Sequence, residues 1–302
     1  MKIAALYTCF NRKEKTLASL RSLYQALNRY NSTKQVDYIE LEVYLTDDGC
    51  TDGTSDAIRE HFGNHIIHIL QGNGSLYWTG GMLFAWKEAI KRHSEWDYYL
   101  LLNDDTILNA DCFHELFKTN EYCIKKYGTQ GLYSGITCAT SDPNTITYGG
   151  DIYTNKFTGK MIRLGKSDFP QMVDKSNANI LLVPKFVVDK IGIFFEGYKH
   201  GCADNDYSMM ARKKGIPVLI TANVCGICDN DHGDPIEIKE KIISMSLSER
   251  KAYFKHPIHS NSDHLTYIRR NLPARYPIVW VFRMIHTYFP KFYYRLNKIR
   301  GL

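Results

Sequence analysis

Several hallmarks of common protein classes are missing from this chain of 302 residues. It has no run of about 18 apolar residues, which a membrane-spanning helix would need. Its first apolar run ends at Asn11 and is too short for a secretory signal peptide. Internal repeats and low-complexity segments are also absent. The cysteines follow no disulfide-like spacing, so we expect free thiols and a cytoplasmic location.

Acidic residues are absent after Asp263, although the net charge of the whole chain is only +6. This basic C-terminal stretch also contains many aromatic residues between Pro277 and Tyr294. Basic and aromatic side chains together are typical of contact with an anionic bilayer, here the inner face of the cell membrane. A helix packed on the main domain and a homodimer contact fit the pattern equally well. No nucleic-acid-binding motif accompanies the charge, so we do not expect nucleic acid as a partner.

Strand-like and helix-like segments alternate along the first third of the chain and recur later. The strand-like segments are residues 3–9, 41–45, 65–70, 97–102, 180–183 and 218–222. The helix-like segments are residues 16–27, 55–61, 80–93 and 206–214. This alternation predicts right-handed crossovers and an α/β fold with a largely parallel central sheet flanked by helices.

Polar clusters follow the first four predicted strands. They are Thr8-Cys9, Asp47-Asp48, Gly72-Asn73-Gly74 and Asn103-Asp104-Asp105. Sheets of this kind bind ligands at the carboxyl ends of their strands, so we expect these clusters to converge on one cleft.

Asn103-Asp104-Asp105 directly follows the apolar run from Tyr98 to Leu102, which we expect to be buried on both faces of the sheet. Adjacent carboxylates repel each other, and a divalent cation removes that repulsion while binding diphosphate oxygens. The segment therefore indicates an Mn²⁺ or Mg²⁺ site. An Asp-rich turn that caps the next helix is the structural alternative.

Two further loops are candidates for nucleotide contacts. Asp48 lies in a turn rich in Asp and Gly and could contact a base or ribose, although the same turn could simply cap a helix. Gly80 and Gly81 at a helix start would let backbone amides approach a phosphate closely. Trp78 in the same loop is best explained by packing on a ligand.

The second half of the chain offers other candidate residues. Asp204 opens a predicted helix, where a carboxylate either caps the helix or acts as a general base. His232 could assist Asp105 as a metal ligand. Cys225 and Cys228 form a single CxxC, which is weak evidence for zinc without a second pair.

The order of these motifs resembles the inverting glycosyltransferase family 2, which has the GT-A fold. The resemblance covers about residues 1–235 and rests on residues 8–12, 47–54, 103–105 and 192–206. Residues 77–81 are similar to the donor loop of the branch that includes bacterial rhamnosyl- and galactofuranosyltransferases.

The resemblance implies a role for each matching residue. The implied donor-nucleotide contacts are Thr8, Asn11, Arg12, Asp48, Trp78, Gly80, Gly81 and Asp104. Asp105 and His232 would bind the metal, and Asp204 would be the catalytic base. Because Ala203 occupies a position that is often acidic in the family, Asp206 stays open as an alternative base or an acceptor contact.

These features predict transfer of a hexosyl or deoxyhexosyl group from a UDP- or dTDP-linked sugar to a hydroxyl of a glycan acceptor. A lipid-linked glycan is one candidate acceptor, and bacterial cell-surface polysaccharide synthesis is the expected setting. The predicted domains are a transferase domain, 1–235, with halves of about 1–106 and 107–235, and a helical, basic and aromatic extension, 236–302.

Two rival functions make different demands on the sequence. A sugar-phosphate nucleotidyltransferase usually has a glycine-rich loop after its first strand, and residues 8–12 contain no glycine. A non-catalytic carbohydrate-binding protein has no need for the Asp cluster.

Overall fold

The computed structural model describes residues 1–33, 38–93, 95–230 and 233–299. The strands are β1 (Lys2–Cys9), β2 (Glu40–Asp47), β3 (Ile67–Gln71), β4 (Tyr98–Leu102), β5 (Ile107–Leu108), β6 (Leu132–Cys138), β7 (Ile146–Tyr148), β8 (Gly150–Asn155), β9 (Lys160–Arg163), β10 (Gln171–Met172), β11 (Lys175–Ser176), β12 (Ile180–Pro184) and β13 (Val218–Ile227). The helices are α1 (Lys13–Thr33), α2 (Thr54–His61), α3 (Tyr77–Arg92), α4 (Cys112–Tyr127), α5 (Lys185–Ile191), α6 (Ala203–Lys213), α7 (Pro235–Ser244), α8 (Leu247–Lys255), α9 (Asn261–Asn271), α10 (Tyr276–Tyr288) and α11 (Pro290–Ile299).

The main sheet has the strand order β10-β13-β6-β12-β4-β1-β2-β3, and β5 and β7 join it at β13 and β6. Strands β3, β2, β1 and β4 are parallel, because helices connect each one to the next in sequence. Strand β12 runs antiparallel between β4 and β6. The predicted α/β fold with a largely parallel sheet flanked by helices is therefore confirmed. A small antiparallel sheet, β11-β8-β9, lies beside it.

Hydrophobic cores cover both faces of the main sheet. Along β1, Ile3, Ala5 and Tyr7 point into the core that contains α1, whereas Ala4 and Leu6 point into the core that contains α3. All five are fully buried. A central strand buried on both faces reads as a continuous apolar run, which is why its sequence shows no alternation.

Three elements differ in extent from their predictions. Helix α6 begins at Ala203 rather than at residue 206, because the amide of Asp206 already donates to the carbonyl of Cys202 at 2.8 Å. Helix α3 begins three residues before Gly80 for a similar reason, since the Gly80 amide reaches the carbonyl of Leu76. Strand β13 continues past residue 222 through irregular pairing with β6.

The C-terminal residues form helices, as predicted, and α9 packs on the rest of the molecule. Tyr267, Ile268 and Leu272 are buried in the core that contains α3. The Tyr267 hydroxyl also lies 2.8 Å from the hydroxyl of Tyr153 on β8. The division at residue 235 stays a prediction, and it does not separate two independent cores. Within the described ranges, no helix is both long and apolar enough to cross a membrane.

Candidate functional site

The carboxyl ends of the parallel strands form one edge of the sheet. Thr8 pairs with Thr46 and Asp47 with Gln71, so β1, β2 and β3 end at the same level. Beyond β4, this edge opens into a cleft of about 540 Å³. The predicted site residues Arg12, Trp78, Asp105 and Asp204 line it. Side chains from both halves of the chain therefore meet in a single cleft.

The Arg12 side chain binds both carboxylates that follow β4. Its Nη1 donates to Asp104 Oδ1 at 3.1 Å, and its Nη2 donates to Asp105 Oδ2 at 2.5 Å. Burial raises the pKa of Asp104 to about 7; the Arg12 charge opposes this shift, and the neighbouring Asp105 adds to it. Arg12 therefore offsets the repulsion between two adjacent carboxyl groups.

The residues at this edge fit a divalent cation bound at an open site. Asp105 presents a carboxylate to the cleft, and its other oxygen, Oδ1, lies 3.6 Å from the Cys228 thiol. Mg²⁺ and Mn²⁺ are commonly held by one or two carboxylates and completed by water and substrate phosphate oxygens. Among the described residues no group of three or more acidic, His or Cys side chains forms a closed metal cage. His232, the second predicted ligand, lies outside the described residues.

Asp204 lies in the first turn of α6 and faces the cleft while being only 9% exposed. Its Oδ2 accepts from the Ala178 amide at 3.1 Å, and its Oδ1 accepts from the amide and side chain of Asn205 at 2.7 and 2.9 Å. Burial raises the pKa of Asp204 despite these bonds. A fixed carboxylate with a raised pKa has the properties that a general base needs.

Asp206, the alternative base, faces away from the cleft. Both of its oxygens accept from Nε of Arg270 at 3.1 Å, and Oδ1 also accepts from the side chain of Asn271 at 2.5 Å. Arg270 and Asn271 both lie on α9. The structure thus places Asp206 in a buried ion pair between α6 and α9, which leaves Asp204 as the better-placed acid.

Asp48 supports the loop that precedes α3. Its carboxylate accepts from the amides of Gly74, Leu76 and Tyr77, each at 2.9 Å. Asp48 is 4% exposed and does not line the cleft. A base or ribose contact from Asp48 would therefore compete with three existing hydrogen bonds.

Gly81 allows α3 to approach β1 closely. A Cβ at Gly81 would lie 2.1 Å from Thr8 Oγ1, and the Gly81 carbonyl accepts from Thr46 Oγ1 at 2.8 Å. Gly80 is less constrained, since its nearest neighbour would be Leu76 Cβ at 3.3 Å. In this structure Thr8 and Gly81 pack against each other, and neither lines the cleft.

Asn11 and Trp78 connect the loops around the site. Asn11 adopts a φ of 50°, and its side-chain oxygen accepts from the Thr51 amide at 2.7 Å, which joins the loop after β1 to the loop after β2. Trp78 Nε1 donates to the side chain of Asn103 at 2.9 Å. Trp78 thus lines the cleft, and its orientation is fixed by Asn103, the residue that follows β4.

Sequence reasoning missed several residues that line the cleft. They are Tyr148, Asn177, Asn179, His200, Cys228, Asp229 and Ile258. Asn177 and Asn179 directly precede β12. Two polar residues next to a buried strand could have been recognised in the sequence as candidates for the cleft. The antiparallel direction of β12, which brings its start to the end of β4, had no signal in the sequence.

The CxxC cysteines face different surroundings. Cys225 is fully buried, with its thiol 3.4 Å from the Thr221 hydroxyl, whereas Cys228 lines the cleft. Together with the absence of a metal cluster among the described residues, this arrangement does not support the zinc interpretation.

Comparisons with known proteins agree with this geometry. A family model described as glycosyl transferase family 2 matches residues 6–164. No curated protein sequence gives a significant match. Among solved structures, a mannosyltransferase from Pyrobaculum calidifontis in complex with GDP-Man and Mn²⁺ superposes with a TM-score of 0.53 at 11% identity, covering 91% of this chain and 68% of the other. TarS 1–349 from S. aureus in complex with UDP-GlcNAc has a TM-score of 0.54 at 14% identity, covering 92% and 73%. At such identities the likeness is one of fold, and it confirms the GT-A fold implied by the motifs.

Proposed function

Because the chain belongs to glycosyl transferase family 2, we propose that it is an inverting enzyme. It moves a hexosyl or deoxyhexosyl group from a UDP- or dTDP-linked sugar to a hydroxyl of a glycan acceptor. The observation that carries this proposal is that Asp105 and Asp204, far apart in sequence, line one cleft beyond the carboxyl edge of the sheet. Asp105 is on the side of the leaving diphosphate, and Asp204 accepts the proton of the attacking hydroxyl.

Asp204 is the proposed catalytic base. It takes the proton of the acceptor hydroxyl, whose oxygen bonds to the anomeric carbon. The bond between that carbon and the diphosphate oxygen breaks as the nucleoside diphosphate leaves from the opposite face. A single displacement of this kind inverts the anomeric configuration. The bonds from Ala178 and Asn205 support the role by holding the carboxylate in one orientation.

The donor side of the cleft is assigned to residues around β1 and β4. A divalent cation, Mn²⁺ or Mg²⁺, at Asp105 would supply compensation for the charge on the leaving diphosphate. Arg12, which binds both Asp104 and Asp105 and lines the cleft, adds positive charge to the donor side. Trp78 packs on the donor, and Asn11 and Asp48 fix the loops that surround the nucleotide. Thr8 and Gly81 set the distance between β1 and α3 beneath it, whereas Gly80 packs next to Leu76.

The acceptor side includes α6 and the C-terminal helices. Exposed apolar side chains on α10, on α11 and between them, among them Trp280, Phe292 and Phe289, fit peripheral contact with the inner face of a membrane. Such a location suits a lipid-linked glycan in bacterial cell-surface polysaccharide synthesis. A homodimer formed through the same helices is the competing assembly.

Donor binding and turnover can be tested separately. A thermal-shift screen of nucleotide sugars with Mn²⁺ and Mg²⁺ should identify the donor, since a bound ligand raises the melting temperature. Asp204→Asn should then abolish transfer and leave donor affinity unchanged. Asp229→Asn is the matched control: Asp229 lines the same cleft, but its carboxylate is occupied by the amide and hydroxyl of Thr140 at 2.8 and 2.7 Å. An Asp204→Asn enzyme with wild-type turnover would refute the assignment.

A further inference from the structure

A second cavity, of about 330 Å³, lies between the turn that joins β8 to β9 and the C-terminal helices. It is distinct from the cleft that holds Asp105 and Asp204 and has no residue in common with it. Its polar lining residues are Thr158, His264, Arg275, Arg283, Tyr293 and Asn297. The cavity therefore combines two guanidinium groups with neutral hydrogen-bonding side chains.

The turn between β8 and β9 holds Arg275 in place. Arg275 Nη2 donates to the carbonyl of Thr158 at 2.8 Å. Gly159 has a φ of 75°, and a Cβ there would lie only 1.9 Å from Arg275 Nη1. Glycine thus supplies both the backbone conformation and the space that this guanidinium occupies. The side chain is positioned by the protein rather than being free in solvent.

The positive charge in this cavity is not balanced by the protein. Within the described ranges, neither Arg275 nor Arg283 forms an ion pair with a carboxylate, and no acidic residue follows Asp263 in sequence. Nearby Lys175 shares the single carboxylate of Asp151 with Arg163. Both arginines are partly buried, and partly buried charge without a partner destabilises a fold, so a ligand of opposite charge is the simplest reason to keep it.

His264 reflects the same excess of positive charge. Burial lowers its pKa to about 3, and the charges of Arg283, Arg275 and Lys175 lower it further. Its Nδ1 is buried and has no hydrogen-bond partner among the described residues. A neutral imidazole with an unsatisfied nitrogen beside two guanidinium groups adds a polar contact for a bound anion.

Helix α9 links this cavity to the main cleft: His264 lines the cavity, and the adjacent Asp263 accepts from the amides of His200 and Gly201, which line the cleft. Cys202 lines the main cleft two residues before Asp204. Burial raises the pKa of Cys202 to about 12, Asp204 and Asp263 raise it as well, and Lys175 and Arg283 lower it.

We propose that this cavity binds a phosphate or diphosphate group carried by the acceptor, and so selects phosphorylated acceptors. Paired guanidinium groups are well suited to phosphate because each can form two parallel hydrogen bonds with its oxygens. The inference rests on the proposed function, since it requires an acceptor whose hydroxyl group reaches Asp204 in the main cleft. The phosphate could belong to a lipid-linked glycan or to a water-soluble one, and the chemistry of recognition is the same.

Titration of the full chain with inorganic pyrophosphate tests the cavity directly. The titration is done by calorimetry in the presence of EDTA, so that metal-dependent binding in the donor cleft does not contribute. Arg283→Gln and Arg275→Gln should each weaken binding about tenfold or more, because each removes charge-assisted hydrogen bonds. Arg269→Gln is the matched control: it removes one charge from exposed α9 surface outside the cavity. An equal loss in Arg269→Gln, or none in either cavity variant, overturns the proposal.

Folding and the donor site are monitored in the same variants. Arg283→Gln should melt at or above the wild-type temperature without ligand, because a partly buried unpaired charge is removed. If it unfolds instead, Arg275→Gln provides the same test. Nucleoside diphosphate binding with Mn²⁺ should be unchanged in both. Wild-type protein that binds no nucleotide refutes the proposed function, whereas protein that binds nucleotide but not pyrophosphate refutes only this inference.

A vesicle experiment distinguishes the two phosphate sources. Phosphatidylcholine vesicles are prepared with a polyprenyl diphosphate or with phosphatidylglycerol. Co-flotation that requires the diphosphate and is lost in Arg283→Gln assigns the cavity to lipid-linked acceptors. Pyrophosphate binding that depends on Arg283 without such flotation assigns it to water-soluble phosphorylated acceptors.

Discussion

Replacing Asp206 tests whether two acids on one turn of α6 have separate roles. Asp206 is 2% exposed and binds Arg270 and Asn271 on α9, whereas Asp204 lines the cleft. We expect Asp206→Asn to lower stability while the folded enzyme keeps its turnover. Asp204→Asn should instead abolish turnover while the protein keeps its stability.

The expected loss of stability follows from the contacts between Asp206 and Arg270. Removing one partner of a buried ion pair costs about 3–5 kcal/mol, and a hydrogen bond to a charged group contributes about 1.5–3 kcal/mol. The Arg270 side chain is 27% exposed, so water replaces part of what it loses. We therefore expect about 3 kcal/mol for Asp206→Ala, and about 1–2 kcal/mol for Asp206→Asn, which keeps an acceptor oxygen.

Urea unfolding followed by tryptophan fluorescence measures these losses. A double-mutant cycle with Arg270→Ala isolates the contribution of the pair. Asp56→Asn is a suitable control, because Asp56 pairs with Arg59 at 2.9 Å on an exposed face and should contribute less than about 0.5 kcal/mol. An Asp206→Asn protein with wild-type stability but no turnover would transfer the base role to Asp206 and refute the reasoning.

Two further predictions concern pH and close packing. Because burial raises the pKa of Asp204 and the base must be ionised, kcat/KM should fall on the acid side at a pH above the ordinary Asp value of 3.8. The folded state then binds the extra proton, so the stability contributed by Asp204 is fully present below the unfolded pKa and declines as pH rises through the folded pKa. Urea unfolding at several pH values should show this decline, and Asp204→Asn should remove it. Gly81→Ala should lower stability by about 1–3 kcal/mol through its clash with Thr8, while Gly80→Ala, one residue earlier in the same helix, should have little effect on the melting temperature.

The fold was predictable from sequence because β1 and β4 contain continuous apolar runs and the helices between the strands have regular apolar spacing. The four polar clusters after β1 to β4 lie at one edge of the sheet, but of these only the cluster after β4 lines the cleft, through Asn103 and Asp105. Which acidic residue faces the cleft and which one stabilises the fold was not predictable from the sequence. Asp204 and Asp206 are two positions apart on a helix and therefore point to different sides, and only tertiary packing decides which side faces the cleft.

The second half of the site was harder to predict because its strands pair out of sequence order. Strand β12 lies between β4 and β6 and runs antiparallel to both, which brings Asn177 and Asn179 into the cleft. Local patterns carry no information about that insertion. Asp48 illustrates a different limit: its type and position suggest a ligand contact, yet its carboxylate is occupied by three backbone amides.

Helix α9 connects the C-terminal region to the proposed catalytic base. Asp263 near its start accepts hydrogen bonds from the amides of Lys199, His200 and Gly201 at 2.9–3.2 Å, which fixes the loop leading into α6. Near its other end, Arg270 and Asn271 hold Asp206. Helix α9 thus contacts both the loop before α6 and the side of the first turn of α6 that carries Asp206. Asp204 projects from the other side of that turn into the cleft. The same helix contributes His264 to the second cavity, so α9 connects the proposed phosphate site with the helix that carries Asp204.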